Sequence, residues 1–366
     1  MKSYNSLVHG HIPQEGRFKL MKGVVLSGPN LLEIEEVTKP KLEKATDAIL
    51  RVTTASICGS DLHIKHGMMP WIKPGTVIGH EFVGIIEEVG SEVSFFKKGD
   101  RVVASATFQC GQCFYCRKGN IGLCERGGVY GGGEMFGNVG GGQAEYVRIP
   151  FADNSLARIP DSLEDEDIIF VGDILSTGFH GALTGGIGPG DSVAVFGSGP
   201  VGLCAQVCAK MMGAEPVMAV DLIDYRLRVA QTFGSIPIHA ERENAVDRVR
   251  NLTQGRGADV VIEAGGLEGT FLGALEAVRR GGTVSVLGLF PQPLNVPMEK
   301  LCFYTLKISV GLADLSHMSK LIKLVHSGKI NLRPLITHVF PLVQALDGYE
   351  IFEKRKDTCI KVVLKP

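Results

Sequence analysis

The chain has 366 residues, of which 45% are hydrophobic and 21% are charged, and its formal net charge is -1. This length exceeds the size at which one hydrophobic core usually stops growing, so we expect two domains. The near-neutral charge gives no electrostatic basis for binding nucleic acid or an anionic membrane surface. The longest apolar stretch, 193–212, is interrupted by glycine and proline and is not expected to span a membrane.

The first twenty residues contain several charged side chains and lack the apolar core of a signal peptide. We therefore predict a cytoplasmic protein in which residues 1–20 form a flexible extension ahead of Met21. The chain contains 9 cysteines, an odd number. In a reducing compartment their clustering favours metal ligation over disulfides.

Short alternating apolar segments separated by turn residues predict β-strands from Lys22 to Thr54. The same pattern returns at 82–90 and 99–103. The first part of the chain is therefore predicted to be rich in β-strands and barrel-like.

Residues 57–81 lie between these strands and concentrate chemically active side chains in one short span, namely Cys58, Ser60, Asp61, His63, His80 and Glu81. Thiolate, imidazole and carboxylate are the donors that zinc takes in proteins. A catalytic zinc ion keeps one position free for water or substrate. The composition of this span therefore predicts part of an open metal site.

Four cysteines follow in a C-x2-C-x2-C-x7-C arrangement, Cys110, Cys113, Cys116 and Cys124. Four thiolates at this spacing can meet tetrahedrally around one ion, and a closed site of four sulfurs has no room for substrate. We therefore predict a structural zinc site. Two disulfides, loose thiols and an iron-sulfur cluster are the alternatives, although two successive C-x-x-C spacings leave little slack for disulfide geometry.

The glycine-rich segment 127–142 is expected to be a loop pressed against other elements, and 143–149 returns to a strand pattern. The acidic run 164–167 is predicted to be the solvated start of a helix, where carboxylates favour the positive end of the helix dipole.

From about Gly178 the pattern becomes an alternation of strands and helices, which predicts a parallel α/β sheet. The predicted strands cover 192–196, 217–220, 259–263 and 283–287. Further along, 318–325 and 340–354 are predicted to be helices, and the chain closes with a strand at 359–364 that we expect to return to the first domain.

A glycine-rich loop lies between the first of these strands and a helix, and it consists of Gly197, Ser198, Gly199, Pro200, Val201 and Gly202. Its glycines let the backbone approach a pyrophosphate, and the helix that starts near Pro200 presents unpaired N-H groups to it. Asp221 follows 221 - 202 = 19 residues after the last glycine, the spacing expected of a dinucleotide-binding fold.

Asp221 is predicted to accept hydrogen bonds from the adenosine ribose and to repel a 2'-phosphate, so NAD should be preferred to NADP. Arg226 lies close by in sequence and could accommodate a phosphate. The alternative for Asp221 is a turn residue at the end of a strand.

Four features occur in order along the chain, namely residues 58–63, residues 79–81, the four-cysteine lobe and the glycine-rich loop. Together they resemble the zinc-containing medium-chain dehydrogenase/reductase family, whose best-known members are alcohol dehydrogenases. The resemblance covers residues 21–366. It implies an α/β protein in which a β-rich GroES-like catalytic domain accompanies a Rossmann domain with a doubly wound parallel sheet.

The resemblance also implies the domain boundaries. They are an extension at 1–20, a GroES-like domain at 21–174 with the structural zinc lobe at about 108–126, a Rossmann domain at 175–313, and a C-terminal return to the catalytic domain at 314–366.

In that family a Cys, a His and a third ligand hold the catalytic zinc, and the third ligand lies just before a Thr-Gly segment that touches the nicotinamide. The matching residues here are Cys58, His80 and Asp173, with Thr177 in the nicotinamide segment. Asp173 replaces the second cysteine of the best-known alcohol dehydrogenases. This replacement is shared with bacterial-type secondary alcohol dehydrogenases and with glutathione-independent formaldehyde dehydrogenases, and the latter branch is also similar around 142–147.

The implied reaction is hydride transfer between an alcohol and NAD, with two zinc ions per chain. Ser60 would accept the alcohol proton, and the cofactor ribose together with His63 would pass it toward solvent. Glu81 is similar to the family's second carboxylate, which can approach the metal, and a buried neighbour of the site is the alternative role. Ser60 could otherwise be only a helix N-cap, and His63 only a surface imidazole.

The expected partners are a small alcohol or carbonyl substrate and a second copy of the chain, in a homodimer or homotetramer. The family's substrate pocket matches Met68, Met69, Trp71 and Ala106. Cys204 and Cys208 lie four residues apart on one helix face and are predicted to be core residues. The competing functions are a polyol, threonine-type or formaldehyde dehydrogenase, and a catalytically silent cofactor-binding regulatory protein.

Overall fold

The protein is described here by a computed structural model that covers residues 19–366. The predicted extension at 1–20 therefore lies almost entirely outside the described residues. Its last member, Leu20, already belongs to the first strand.

The first part of the described chain is mostly β-strand. Its strands are β1 (Leu20–Gly28), β2 (Leu31–Thr38), β3 (Ala48–Ser56), β4 (Thr76–Val77), β5 (Glu81–Val89), β6 (Arg101–Ala104), β7 (Thr107–Phe108), β8 (Gly128–Val129), β9 (Tyr146–Ile149) and β10 (Leu156–Arg158). Its helices are short, namely α1 (Gly59–Lys65), α2 (Phe114–Arg117), α3 (Ala152–Ser155) and α4 (Asp165–Ile168). Short 3-10 turns lie at Ile121–Leu123 and Glu134–Phe136.

These strands close around one apolar core that includes Leu50, Phe82, Ile86 and Tyr130. The glycine-rich segment 127–142 packs tightly over it, as predicted from its composition. A side chain at Gly142 would collide with the Phe82 ring. Glycine is therefore required there for close approach rather than for flexibility.

The second part of the chain alternates helices and strands. Its elements are α5 (Ile174–Gly185), β11 (Val193–Phe196), α6 (Pro200–Met211), β12 (Val217–Asp221), α7 (Asp224–Thr232), β13 (Ile236–His239), α8 (Ala245–Leu252), β14 (Ala258–Glu263), α9 (Glu268–Ala277), β15 (Val278–Val286), α10 (Met298–Leu301) and β16 (Lys307–Val310). The strands form one parallel sheet in the order β13-β12-β11-β14-β15-β16. This arrangement confirms the expected doubly wound parallel sheet.

Alternate side chains of β11 pack into different apolar clusters. Val193 and Val195 lie in a cluster with residues of α6, whereas Ala194 and Phe196 lie in a cluster with residues of α9. A strand sends successive side chains to opposite faces, so both faces of this sheet are covered. This is why the strands are apolar without alternation.

The chain ends with α11 (Met318–His326), β17 (Ile336–Pro341), α12 (Ala345–Lys354) and β18 (Lys361–Lys365), with 3-10 turns at Arg333–Leu335, Leu342–Gln344 and Lys356–Thr358. β18 pairs antiparallel with β3 and parallel with β17. The last strand therefore joins the seven-stranded sheet of the first part, whose path is β10-β6-β5-β3-β18-β17 with β9 also paired to β3.

The predicted helix at 340–354 was wrong over its first five residues. Phe340 and Pro341 belong to β17, in which half-buried and exposed positions alternate, and the helix begins only at Ala345. The apolar residues on both sides of Pro341 look continuous in sequence. Pairing with β18 and the proline separate them into a strand and a helix.

The helix start predicted at 164–167 is confirmed, with Glu164 as the N-cap of α4, but the expectation that its acids are merely solvated was wrong. The Asp165 carboxylate accepts hydrogen bonds from Thr53, at 2.5 Å, and from Thr54, at 3.0 Å. Asp167 pairs with Arg333, and Glu166 pairs with Lys365 at 2.5 Å. These acids hold the C-terminal segment against the first part of the chain. In residues 19–366, none of the helices is long and apolar enough to cross a membrane.

Candidate metal and cofactor site

Three side chains that are far apart in sequence meet where the two parts of the chain face each other. Cys58, His80 and Asp173 each offer one ligand atom, and these atoms all lie within 4.8 Å of one another. The Asp173 Oδ2 atom lies 3.5 Å from Cys58 Sγ and 3.4 Å from His80 Nε2. The structure thus brings together the three residues for which the resemblance implies a catalytic zinc.

Local backbone structure places each of the three residues. Cys58 follows β3 and is the N-cap of α1, while Asp173 is the N-cap of α5. His80 follows Gly79, whose φ of 96° is in the left-handed region. A side chain at Gly79 would also collide with Gln143, so glycine is needed there for both reasons.

The electrostatics of the cluster favour a cation at its centre. Burial alone would lower the pKa of His80, but the Asp61 and Asp173 carboxylates raise it well above its ordinary value. Burial alone would raise the pKa of Asp173, yet hydrogen bonding to His80 lowers it to about 2. Burial raises the pKa of the Cys58 thiol, and the charge of Asp173 raises it further. A divalent cation would lower the pKa of Cys58 again, because metal binding favours the thiolate over the thiol.

The donor set fits zinc. It combines one sulfur, one imidazole nitrogen and one carboxylate oxygen. All three donor types occur at catalytic zinc sites in proteins. The other ring nitrogen of His80, Nδ1, lies 3.5 Å from Asp61 Oδ1. A carboxylate at this nitrogen orients a metal-binding histidine and leaves its Nε2 for the metal.

Asp61 is itself held by a buried hydrogen-bond network. Its Oδ2 atom accepts from the Cys58 backbone N-H at 2.9 Å and from Gln143 Nε2 at 2.9 Å. The Gln143 Oε1 atom accepts from the Tyr349 hydroxyl at 2.7 Å. The network therefore ties α12 to the histidine of the cluster through two intervening side chains.

We expect Tyr349→Phe to lower the free energy of unfolding by about 1–2 kcal/mol, because it leaves the buried Gln143 Oε1 without this donor. Chemical denaturation would measure the change. Tyr115→Phe is the matched control, since Tyr115 is exposed at the surface of the cysteine lobe. Equal stability of the Tyr349 variant and the wild-type protein would contradict the network's role.

Ser60 lies at the cluster, with its Oγ atom 3.2 Å from His80 Nε2. It is not the helix N-cap, because α1 begins at Gly59 and Cys58 occupies the cap. His63 is partly buried on the same helix, and its Nδ1 atom lies 2.9 Å from Met68 Sδ. Burial and the neighbouring His66 lower the pKa of His63. No hydrogen bond joins Ser60 to His63 within residues 19–366, so a proton path between them needs a bridging group.

Glu81 is fully buried beside the cluster and pairs with the ammonium group of Lys361, which is also fully buried. Lys361 additionally donates to the Ile57 carbonyl at 2.7 Å. Lys361 is not among the site residues predicted from the sequence. Its only sequence signal is a charged residue within the apolar run of the last strand.

The four cysteines of the lobe form the second metal-type cluster. The ligand atoms of Cys110, Cys113, Cys116 and Cys124 lie within 4.8 Å of one another. All nine cysteines are free thiols, and Cys113 Sγ lies 3.9 Å from Cys124 Sγ, too far for a disulfide. Burial would raise the pKa of Cys110, but backbone N-H groups of residues 112 and 113 help to lower it to about 6. Backbone N-H groups also lower the pKa of Cys113, whereas burial raises the pKa of Cys124 and that of Cys116, the latter to about 12. The lobe thus favours the thiolate at two of its cysteines, and a bound metal ion would favour it at the other two.

The glycine-rich loop connects β11 to α6, as predicted. Gly197 has a φ of 95°, and a Cβ atom there would lie 2.9 Å from the Ala264 carbonyl carbon. A Cβ atom at Gly202 would collide with the Gly197 carbonyl oxygen. Gly199 is the N-cap of α6, and Pro200 and Val201 form its first turn. This end of the helix therefore presents free N-H groups of the kind that bind phosphate.

Asp221 ends β12 and also braces the loop. Its Oδ2 atom accepts from the Ser198 backbone N-H at 2.6 Å, and Oδ1 accepts from the N-H groups of Leu222 and Ile223. Arg226 Nη1 lies 3.9 Å from Asp221 Oδ2 and 3.7 Å from the position of a Cβ atom on Gly199. Both side chains therefore border the same loop.

Thr177 lies beside the metal-type cluster. Its hydroxyl lies on α5 and donates to Asp173 Oδ1 at 3.3 Å.

Cys204 and Cys208 are buried in the core beneath α5. The residues matched to the substrate pocket are divided, since Met69 and Trp71 pack on the core of the first part whereas Ala106 packs with Ala313 and Leu315.

Comparison with known proteins defines the class. The family model for the alcohol dehydrogenase GroES-like domain matches residues 44–161, and that for zinc-binding dehydrogenases matches residues 200–326. The uncharacterized zinc-type alcohol dehydrogenase-like protein AdhB of Bacillus subtilis is 39% identical over 94% of this chain and 100% of its own. An alcohol dehydrogenase of Cupriavidus necator is 37% identical over 95% of this chain and 99% of its own.

Among solved structures, the alcohol dehydrogenase TADH from Thermus sp. ATN1 is 44% identical and superposes with a TM-score of 0.90, covering 94% of this chain and 99% of that one. These matches define a dehydrogenase of two domains, one GroES-like and one Rossmann-like. The chain belongs to the zinc-containing medium-chain dehydrogenase/reductase family and is an oxidoreductase of the alcohol dehydrogenase type.

Proposed function

We propose that this enzyme interconverts an alcohol and an aldehyde or ketone by hydride transfer to or from NAD. One zinc ion would be held by Cys58, His80 and Asp173, and a second by the four cysteines of the lobe. The observation that carries this proposal is the cluster itself, which lies at the start of α5 with Thr177 bonded to Asp173. The metal half and the cofactor half of the site thus share one helix.

Each side chain of the site has a separate role in the reaction. When bound, the zinc ion supplies Lewis-acid polarisation of the substrate oxygen. Asp61 keeps His80 in the orientation that exposes Nε2. The Ser60 hydroxyl, close to that nitrogen, takes the alcohol proton. The cofactor ribose would bridge it to the partly buried His63, which passes the proton toward solvent. Thr177 holds the nicotinamide against the substrate.

NAD rather than NADP is the proposed cofactor, because the Asp221 carboxylate borders the phosphate-binding loop where a 2'-phosphate would be repelled. The solved relatives do not distinguish NAD from NADP. A dehydrogenase from Sinorhizobium meliloti that is 27% identical was solved with NADP, and one from Escherichia coli with the same identity was solved with NADH. Arg226 at the same loop is the feature that favours the alternative.

We expect Asp221→Gly to move the ratio of kcat/KM for NAD to that for NADP toward NADP by about tenfold or more, since it removes a repelling charge worth about 1.4 kcal/mol or more. Steady-state kinetics with both cofactors measures this. Asp224→Gly is the control, because Asp224 pairs with Arg242 at 2.6 Å on the surface of α7. An unchanged cofactor ratio in the Asp221 variant would count against its ribose role.

The substrate class has one rival supported by a relative. An L-threonine 3-dehydrogenase of Bacillus licheniformis is 35% identical over 91% of this chain and 94% of its own. A threonine-type enzyme is therefore the second candidate. Polyol and formaldehyde dehydrogenases of the same family stay open as further alternatives.

Metal quantification combined with a substrate screen tests the proposal. We expect two zinc ions per chain and turnover of simple alcohols or their carbonyl products with NAD. Activity confined to threonine or to polyols would replace the simple-alcohol proposal. One zinc ion per chain, retained by the lobe, together with no turnover, would favour a catalytically silent cofactor-binding protein.

A homodimer or homotetramer formed through the Rossmann domain is also proposed. Strand β16 lies at the edge of the parallel sheet, and large apolar side chains are exposed around it. Phe303 and Val310 are each 76% exposed. Edge strands with exposed apolar side chains pair with another chain when uncovered.

A cytoplasmic location is proposed because a site of four reduced thiols needs a reducing compartment.

A further inference from the structure

Four arginines line one pocket of the Rossmann domain. The pocket has a volume of about 430 Å³, and its charged and aromatic lining residues are Arg250, Arg256, Arg279, Arg280 and Tyr304. Arg250 lies near the end of α8, Arg256 lies just before β14, and Arg279 and Arg280 lie near the start of β15. The strands β11, β14 and β15 are parallel, and the glycine-rich loop follows the carboxyl end of β11. The arginines therefore meet at the opposite edge of the sheet from the proposed cofactor site.

Within residues 19–366, only one of the four guanidinium groups is paired with a carboxylate. Arg279 Nε donates to Asp259 Oδ1 at 2.6 Å. The other carboxylate oxygen, Oδ2, accepts from the backbone N-H of Ser192 at 2.8 Å and from its hydroxyl at 2.6 Å. Both oxygens of Asp259 are therefore engaged, and the charge of the other three arginines is not balanced by it.

Neutral acceptors hold two of these three side chains in place. Arg250 Nη2 donates to the backbone carbonyl of Glu276 at 3.0 Å. Arg256 Nη1 donates to the Gln254 side-chain carbonyl at 2.8 Å. A neutral oxygen orients a guanidinium group but does not cancel its charge. Each guanidinium group has five N-H donors, so most of the donors of both side chains remain for a ligand.

Tyr304 holds the third side chain through its ring. The Arg280 guanidinium lies 5.4 Å from the centre of the Tyr304 ring, within the range of a cation-π contact. The Gly281 N-H donates to the Tyr304 carbonyl at 2.7 Å, which ties this residue to β15. An aromatic ring attracts a cation without neutralising it. Arg280 therefore keeps its charge for a ligand in the pocket.

The chemistry of the lining favours a phosphate compound. Like charges that are gathered together repel one another, and a bound anion removes this repulsion. The planar fork of a guanidinium group matches two oxygens of a phosphate group, which lysine does not do. A volume of about 430 Å³ is typical of small-molecule sites, which range over about 300–1,000 Å³. The pocket is thus large enough for a ligand bigger than a single simple anion.

We propose that this arginine pocket is a second small-molecule site of the protein, and that it binds a compound with two linked phosphate groups. A single phosphate group carries a charge of only about -1.5 to -2 at neutral pH, which three unpaired guanidinium groups exceed. A pyrophosphate group supplies more charge and enough oxygens for arginines that come from three separate segments. The site is additional to the proposed alcohol and cofactor site and does not depend on the metal ligands.

Isothermal titration calorimetry with inorganic pyrophosphate tests the proposal on the full-length, zinc-loaded protein. Saturating NAD is present throughout, so that the glycine-rich loop is occupied. The variants are Arg256→Gln and Arg280→Gln, and both arginines are exposed, so neither change disturbs a buried contact. Arg248→Gln is the matched control. It removes the same charge from the same helix as Arg250, but Arg248 faces Glu243 at 3.6 Å and does not line the pocket.

We expect one pyrophosphate per chain to bind to the wild-type protein. Each pocket variant should weaken binding about tenfold or more, the loss that one hydrogen bond between charged groups produces. Arg248→Gln should bind as the wild-type protein does. Replacing pyrophosphate by ADP identifies the source of the phosphate groups. Tighter binding of ADP would assign the site to a nucleotide, and equal binding would assign it to the phosphate groups alone.

Two results would overturn the inference. The first is an absence of pyrophosphate binding to the wild-type protein at millimolar concentration. The second is an equal loss of affinity in Arg280→Gln and Arg248→Gln, or no loss in either, because the anion would then respond only to the general charge of the domain or bind elsewhere. All variants retain both metal-type clusters, so a difference between them reports on the pocket and not on binding of pyrophosphate to zinc.

Discussion

Replacing Asp173 by alanine is expected to remove the metal ion of the Cys58 cluster and to lower kcat/KM on the order of 10³-fold or more. Lewis-acid stabilisation of the transition state is worth several kcal/mol. Each 1.36 kcal/mol lost from it lowers the rate about tenfold. The carboxylate lies within 3.5 Å of both Cys58 Sγ and His80 Nε2, so no other described side chain can replace it without movement. Metal content per chain and steady-state kinetics measure the two effects together.

Two further variants make that experiment specific. Asp173→Cys should retain most of the metal, because thiolate is an accepted zinc ligand and the N-cap position is unchanged. Asp161→Ala should behave like wild type, since Asp161 is an exposed aspartate outside the cluster. Full activity of Asp173→Ala with both metal ions retained would refute the ligand assignment.

Replacing Cys113 by serine is expected to release the metal ion of the cysteine lobe and to lower the free energy of unfolding on the order of 5 kcal/mol. The lobe offers little else to hold it together, since its helix α2 has four residues and none of them is buried. For such a segment the free energy of metal binding is in effect folding free energy. Thermal unfolding, with metal content measured on the same samples, would detect both changes.

Cys302→Ser is the control for that variant, because Cys302 is exposed and lies far along the chain from the lobe. Its metal content and stability should match those of wild type. If Cys113→Ser kept its full metal content, the four sulfurs would not be a single closed site. If it lost metal without losing stability, the ion would be bound but would not support the fold.

Sequence patterns predict this protein's site most closely where the functional residues are near one another in the chain. The four cysteines fall within 15 positions, from 110 to 124, so the connecting loops are too short to place the sulfurs far apart. The glycine-rich loop and Asp221 are separated by one helix between adjacent strands, and that unit has a narrow range of geometries. The apolar strands of the parallel sheet were recognisable because both of their faces are buried.

Prediction failed where a segment's neighbours come from distant sequence. The run 340–354 resembles one helix until β18 pairs with its first two residues. The acids at 164–167 resemble a solvated terminus until Thr53, Arg333 and Lys365 are placed against them. At 340–344 tertiary pairing overrode the local helix propensity. At 164–167 the predicted helix start is kept, and tertiary contacts change only the solvation of its acids.

By itself, the sequence determined the chemical groups of this protein: two sets of metal-binding donors, a phosphate-binding loop, and the order in which they occur. Only the tertiary structure decided which side chains hold the groups beside the metal-type cluster in place. Asp61 is held by Gln143, which follows the glycine-rich segment and is held in turn by Tyr349 of α12. Glu81 pairs with Lys361 of β18. Spacing along the chain constrains contacts only over short loops, whereas these contacts depend on strand register and on how the chain's last strand returns to β3.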